Sequence, residues 1–379
     1  MFRTAKRVGI ASWKVLASLA VLIYLNAPTY AAGKPKPPPV PTIDPAIVYM
    51  TYGGSSGIGN LAIANADGTN QKIILSNSVW NRAPSWSPEG TKIVFFSDVA
   101  GPGIYVLSIN RSTGEADGTP QKIAPIISSY LGMAKPVWSP VPLPVSSGSN
   151  RYFVAYSDTT SPNGSDYSIH LVDPSAPGSQ FKLSSSLVST TFGDVGMTWS
   201  PDATRLAVSR GRDDSQVPPY DIQIVTLQAT DCPLGALVCE VQPRQSLVRD
   251  IAGSPLMTAD DLLNPTWGNS GAEIAVGAFI RPNANSDIWA IPVLYPEGAS
   301  NLTKTNKVSP PDRHETLPTW SPDDSQIAYR ALGNLCNSKD RNFQGIVVRN
   351  VSGKLIDGCI EKILIKDGNF PSWWRNHVP

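Results

Sequence analysis

Pro84-Ser85-Trp86-Ser87-Pro88-Glu89-Gly90 decides the reading of this chain, because it returns five times. The copies are Pro136-Val137-Trp138-Ser139-Pro140, Met197-Thr198-Trp199-Ser200-Pro201-Asp202, Pro265-Thr266-Trp267-Gly268-Asn269-Ser270-Gly271, Pro318-Thr319-Trp320-Ser321-Pro322-Asp323-Asp324 and Pro371-Ser372-Trp373. Six of the ten tryptophans are used this way, and five of the six have Pro two places earlier. Ser-Pro-Glu-Gly is turn chemistry: Pro presets φ at the second position, and Gly suits the end of a type I turn. Ala203 and Asp324 replace that Gly in two copies, so those turns are expected to be strained or differently shaped.

Each copy continues alike. An aliphatic residue stands seven places after the Trp at Ile93, Leu206, Ile274 and Ile327, and it begins a short apolar run such as IVFF (93–96) or IAYR (327–330). The divergent third unit has FVAY (153–156). Second runs follow, among them IYVL (104–107), IHLV (169–172), IQIV (222–225), IWAI (288–291) and IVVR (346–349). Short β-branched and aromatic runs bounded by Pro, Gly, Asp and Ser are strands. A unit is therefore a four-stranded antiparallel meander with the Trp on its innermost strand. One such sheet cannot cover both its faces, but radial stacking can, with the Trp rings between neighbours.

The Trp spacings of 52, 61, 68, 53 and 53 residues leave half-units at both ends. IVYM (47–50) and LAIA (61–64) lack a preceding inner-strand motif, and Trp373 has no strands after it. The two fragments complement each other. The expected fold is an all-β, six-bladed β-propeller of four-stranded antiparallel blades over residues 46–379, its ring closed by the C-terminal inner strand joining the N-terminal blade.

The repeat resembles that of the TolB-type six-bladed propellers, in which Trp-Ser-Pro-[Asp/Glu]-Gly precedes an aliphatic run and an Ile-Tyr-Val-like strand. TolB is a periplasmic protein of the bacterial Tol–Pal envelope system and carries an α/β domain ahead of its propeller. In this sequence a Pro-rich segment stands there, so the resemblance implies a propeller-only relative. The third unit departs from the pattern at VPLPVSSGSNR (141–151), and the fourth is the longest.

The chain has 379 residues, 41% apolar and only 16% charged, with 35 Pro and 30 Gly. That composition suits a turn-rich β protein better than a charge-rich helical one. A net charge of +1 rules out a strongly basic nucleic-acid binder on bulk electrostatics. Residues 1–31 read as a secretory signal peptide: Arg3, Lys6, Arg7 and Lys14 precede the uncharged run 15–25, and small residues lead to a cleavage site after Ala31. The 11-residue run is too short for the ~20 residues of a spanning helix, so no stable membrane insertion is expected after cleavage. Residues 32–45 form a Pro-rich linker, favouring extended polyproline II. The chain is thus expected to be periplasmic or secreted from a bacterium. Four cysteines, Cys232, Cys239, Cys336 and Cys359, are expected to form disulfides in an oxidising compartment. Three connectivities are possible, and the local pairs Cys232–Cys239 and Cys336–Cys359 are favoured.

No catalytic constellation is visible. Of three histidines, His170 sits within a strand, His377 lies near the chain end, and His314 stands without a visible partner set. Gly53-Gly54-Ser55-Ser56-Gly57 matches G-x-S-x-G but lacks the strand-turn-helix context of a nucleophile elbow. No metal ligand set and no cofactor is expected. The segments leading into the inner strands, which converge at one mouth of the channel, are the binding candidates: Asn81, Arg82, Lys135, Asp194, Asp261, Asn264, Arg313, His314, Glu315, Asp367 and Asn369. Such a set serves either as a polar binding funnel or as simple hydration of the mouth. The leading functional expectation is an exported, non-enzymatic scaffold that binds another envelope protein. The alternatives are a propeller hydrolase or lyase acting on carbohydrate or a lactone, and a small-ligand binding propeller.

Overall fold

A computed structural model describes residues 44–375, except 54–57, 78, 127–134, 145–149, 160–166, 179, 183–193, 212–219, 228–239, 249–251, 257–258, 260, 280–284, 304–313, 336–341, 357–358 and 360. The segments read as signal peptide and linker thus lie outside the described residues, apart from Asp44 and Pro45.

Six four-stranded sheets account for the described strands. Blade 1 contains β1 (Ile47–Gly53), β2 (Ile58–Ala64) and β3 (Lys72–Leu75). Blade 2 runs from β4 (Asn81–Trp86) through β5 (Lys92–Ser97) and β6 (Gly103–Asn110) to β7 (Glu115–Pro125). Blade 3 holds β8 (Val137–Trp138), β9 (Val154–Thr159), β10 (Tyr167–Val172) and β11 (Gln180–Lys182). Blade 4 holds β12 (Asp194–Trp199), β13 (Arg205–Gly211), β14 (Tyr220–Leu227) and β15 (Glu240–Ser246). Blade 5 holds β16 (Asp261–Trp267), β17 (Glu273–Phe279), β18 (Ser286–Pro292) and β19 (Ser300–Asn301). Blade 6 holds β20 (His314–Trp320), β21 (Gln326–Gly333), β22 (Phe343–Asn350) and β23 (Glu361–Lys366). The last strand, β24 (Gly368–Trp373), returns to blade 1 and pairs antiparallel with β1, Ile47 opposite Trp373. The ring is therefore closed by the C-terminal inner strand, as the half-units require.

The period-two alternation of each strand divides its side chains between two neighbours. On β5, Ile93 and Phe95 pack with Val48, Leu61 and Ile63 of blade 1. Val94 and Phe96, one residue out of phase, pack with Val154 and Tyr156 of blade 3. Both faces are thus buried, which is why these strands read as continuous apolar runs. Six apolar clusters result, and each contains one repeat tryptophan: Trp86, Trp138, Trp199, Trp267, Trp320 or Trp373.

Hydrogen bonds lock neighbouring blades at the same level. Thr198 Oγ1 accepts from the Trp267 amide and Thr319 Oγ1 from the Trp373 amide, each at 3.2 Å. The indole Nε1 of Trp320 donates to Thr266 O at 3.0 Å, and that of Trp199 to Val137 O at 3.4 Å.

The turns after the tryptophans share one shape. Gly90 (φ 68°), Gly271 (φ 76°), Ala203 (φ 56°) and Asp324 (φ 56°) are all left-handed, and each donates its amide three residues back. Ala203 and Asp324 therefore keep the turn geometry and carry the left-handed strain of an L residue, ~1–2 kcal/mol relative to glycine. At Gly90 a side chain would also collide, since a Cβ there would lie 2.6 Å from both Trp374 Cε2 and Arg111 Nη1. Among the described residues, no helix is long and apolar enough to cross a membrane.

Candidate functional site

The starts of the inner strands gather most of the sequence-selected residues, and two of them, Asn81 and Glu315, tie neighbouring blades. Asn81 is fully buried; its Nδ2 donates to Gly59 O at 3.0 Å and to Asn77 Oδ1 at 2.7 Å, while Ser97 Oγ donates to its Oδ1 at 2.8 Å. The Glu315 side chain is buried, and its amide donates to Ser286 Oγ of blade 5 at 3.1 Å. Buried Asn369 donates to Tyr52 Oη at 3.0 Å. Arg82 stacks its guanidinium over Trp80 at 4.8 Å and Phe96 at 5.4 Å. Burial holds the Arg82 pKa below its ordinary value, opposed by Asp98 and Tyr52. Burial likewise lowers the Arg330 pKa, with Tyr52 opposing. His314 and Asp261 are half-buried on their strands, opposite Leu332 and Phe279, and Asp367 is exposed. Asp194 opens β12 opposite Arg210. Arg313 lies outside the described residues.

Lys135 and Asn264 belong to a different level. Counted back from the tryptophan, they align with Ala83, Gly196, Leu317 and Phe370, the residue three before each repeat Trp. Ala83, Asn264, Leu317 and Phe370 all have φ between 48° and 57° and precede a proline. In each of their blades the pairing register shifts there, leaving one extra residue on the inner strand. This is a β-bulge, which re-aims a side chain and sharpens the local twist. Three of these residues, Asn264, Leu317 and Phe370, line the axis.

The axis holds a cavity of about 100 Å³, lined from all six inner strands. Lys135, Gly196, Asn264, Leu317 and Phe370 contribute from the bulge level, and Ser85, Val137, Thr198, Thr266, Thr319 and Ser372 from the residue before each Trp. Indole and proline surfaces complete the wall, and the segment after β24 enters it as Trp374 and Arg375. The Trp374 amide donates to Ala46 O at 2.7 Å and its indole to Pro88 O at 2.9 Å, with the Arg111 guanidinium 3.7 Å above its ring. Arg375 Nη2 reaches blade 5, donating to Thr266 Oγ1 at 3.0 Å and to Trp267 O. Lys135 Nζ donates to Pro371 O at 3.2 Å, from blade 3 to blade 1.

Lys135 and Arg375 are the charged residues of this lining. Burial pushes the Lys135 ammonium down to about 7, and the neighbouring charge of Arg375 pushes the same way. Burial lowers Arg375 to about 10, with Asp324 opposing. Among the described residues, no three His, Cys, Asp or Glu side chains gather as a metal-binding group. Half-buried His170 stacks on Tyr156 with ring centroids 5.5 Å apart, within blade 3. Cys359 is buried and is not a free thiol; the other three cysteines lie outside the described residues.

The sequence reading missed Trp374 and Arg375. The signal was present: in the other five copies Ser or Gly follows the repeat Trp, and only here does a second Trp follow, then Arg.

This architecture is a six-bladed propeller whose fold is similar to that of TolB. Superposition on TolB from Acinetobacter baumannii gives a TM-score of 0.58 with 18% identity over 87% of this chain, which spans 66% of that protein's length. Kuenenia stuttgartiensis hydrazine synthase gives 0.54 with 10% identity, over 88% of this chain and 46% of that one. A protein assigned as TolB from Agrobacterium tumefaciens gives 0.49 with 14% identity, over 86% and 90% of the two chains. At such identities the likeness is one of fold. No protein-family model matches the chain, and no curated protein matches it.

Proposed function

We propose that this chain is an exported, non-catalytic propeller that binds another protein of the bacterial envelope at its axial mouth. The observation that carries the reading is the axial cavity. It is concave, lined from all six inner strands and walled by indole and proline, with Lys135 and Arg375 as its charged residues. Export rests on the signal-peptide pattern of residues 1–31, and it accords with the favoured cysteine pairs Cys232–Cys239 and Cys336–Cys359. In the strand-start belt, Asn81 and Glu315 serve this function by tying neighbouring blades, and Asn369 by fastening β24 to β1 within blade 1. Arg82 and Asp367 are more open to a partner.

Capture tests the reading directly. The chain from residue 32 onward is crosslinked in an envelope extract of its host, beside Lys135→Met at the axis and Lys354→Glu on an exposed loop. The expected result is a discrete captured protein, reduced by the axial variant and unchanged by the loop variant. Capture that is absent, or equal in all three proteins, overturns the axial-mouth reading.

A further inference from the structure

We propose that the axial cavity is a carboxylate site, in which the acid group sits between Lys135 Nζ and the Arg375 guanidinium. It deepens the axial-mouth reading and rests on it only for where the carboxylate comes from.

Two cations share one small cavity, and its lining from six strands contains no acidic side chain. Asp324 acts on Arg375 from the turn of blade 6, but its carboxylate already accepts from the amides of Asn269 at 2.8 Å and Ser270 at 2.7 Å. Lys135 and Arg375 are half-buried, and neighbouring like charges partly withdrawn from water are costly unless an anion joins them. Donor capacity is also left over. Among the described residues, Lys135 spends one of three N–H groups, on Pro371 O, and Arg375 bonds only through Nη2. The remaining guanidinium edge has the fork geometry that matches a carboxylate.

Size and wall chemistry suit such a ligand. A cavity of about 100 Å³ has ample room for a carboxylate on a short stem, since ~10–15 Å³ of such space already suffices for one water. Leu317, Phe370 and the surrounding prolines offer the stem an apolar wall. Two sources supply such a group: the acidic side chain of a bound polypeptide and a free short-chain acid.

Proton linkage gives the site a signature. Without a ligand, Lys135 titrates near neutrality. A bound carboxylate favours the ammonium form, so binding takes up a proton and tightens as pH falls. The other charge facing Lys135 across the cavity is Arg375, which stays protonated throughout that range.

Propionate is the probe, titrated calorimetrically into the whole chain at constant ionic strength. Saturable binding is expected, tighter at about pH 6 than at about pH 8, and weakened about tenfold or more in Lys135→Met. Lys135→Arg, which keeps the charge, should retain the site and controls for folding. Binding that is absent, independent of pH, or unchanged in Lys135→Met overturns the proposal. If propionate competes with the captured envelope protein, the source is an acidic side chain; if propionate binds without competing, it is a free acid. Capture that persists while propionate fails sinks this inference and leaves the axial-mouth reading intact, and the converse pattern sinks only that reading.

Discussion

Asp324 shows how one residue can carry a local penalty for a longer-range gain. Its left-handed backbone would suit glycine, and the copies at Gly90 and Gly271 have it. Yet its carboxylate spans two blades, accepting from the Asn269 and Ser270 amides. Asn269 answers by donating from Nδ2 to Ser321 O at 3.0 Å and Pro322 O at 2.9 Å. Asp324→Ala keeps the backbone strain and loses the tie. A loss of about 1 kcal/mol is expected, discounted for partial exposure, read as a lower urea midpoint with unchanged slope. An equal or higher midpoint would show that the tie contributes nothing. The strained turn was half legible in the sequence: substitution of the Gly was visible, but the bond to another blade was not. Lys135 makes the same point. It looked like a strand-start residue because blade 3 departs from the repeat, and only its distance from Trp138 places it at the bulge level.

At the scale of elements, the inner strands are held by repeated contacts, and each can be removed separately. Thr198→Val leaves the buried Trp267 amide without its hydroxyl partner, and Thr319→Val does the same to Trp373. Each substitution should cost ~1–3 kcal/mol, and because the two lie at different blade interfaces the losses should add. Thermal unfolding of both singles and the double checks this; marked non-additivity would mean that the interfaces are coupled. The turns add a pH term. Asp202 and Asp323 accept from the hydroxyls of Ser200 and Ser321 within their own turns. For Asp202, burial pushes the pKa up, but the bonds from Ser200 and Thr204 outweigh it and hold the group below the usual carboxylate range. For Asp323 the Ser321 and Ser325 bonds lower it directly. A depressed folded-state pKa means stability that is present above the unfolded value of ~3.9 and lost as pH falls through the folded one. The urea midpoint should therefore drop on acidification below about pH 4, and less so in Asp202→Asn. Strands and turns were legible because both follow local rules of alternation and φ. The bulges were not, since one inserted residue flips which side chain faces the axis without changing the apolar pattern.

The ring as a whole depends on a single late strand. Six blades could be counted from tryptophan spacing, and closure could be inferred from two complementary half-units. The axial cavity could not, because its lining comes from six strands spread over the entire chain. Deleting residues 371–379 removes half of β24, the Trp373 contacts with Ile47 and Leu364, the Pro371 carbonyl that Lys135 bonds, and Arg375 with its bond to Thr266. Unfolding of the whole ring at lower temperature is expected, not loss of one blade. A truncated chain that melts like its parent would refute closure as the source of stability.

The pairing of Ile47 with Trp373 also sets an order of assembly. Blades 2 to 6 are built from hairpins between sequence neighbours and can form as the chain is delivered. The first blade cannot, since β1 waits for a partner roughly 300 residues downstream, a closure with a large entropic cost and slow kinetics. Until then β1 presents an unpaired edge, the template on which chains stick to one another. The most vulnerable moment of this protein is therefore the interval before its final strand arrives. Any factor that shields nascent chains should matter most for the N-terminal blade.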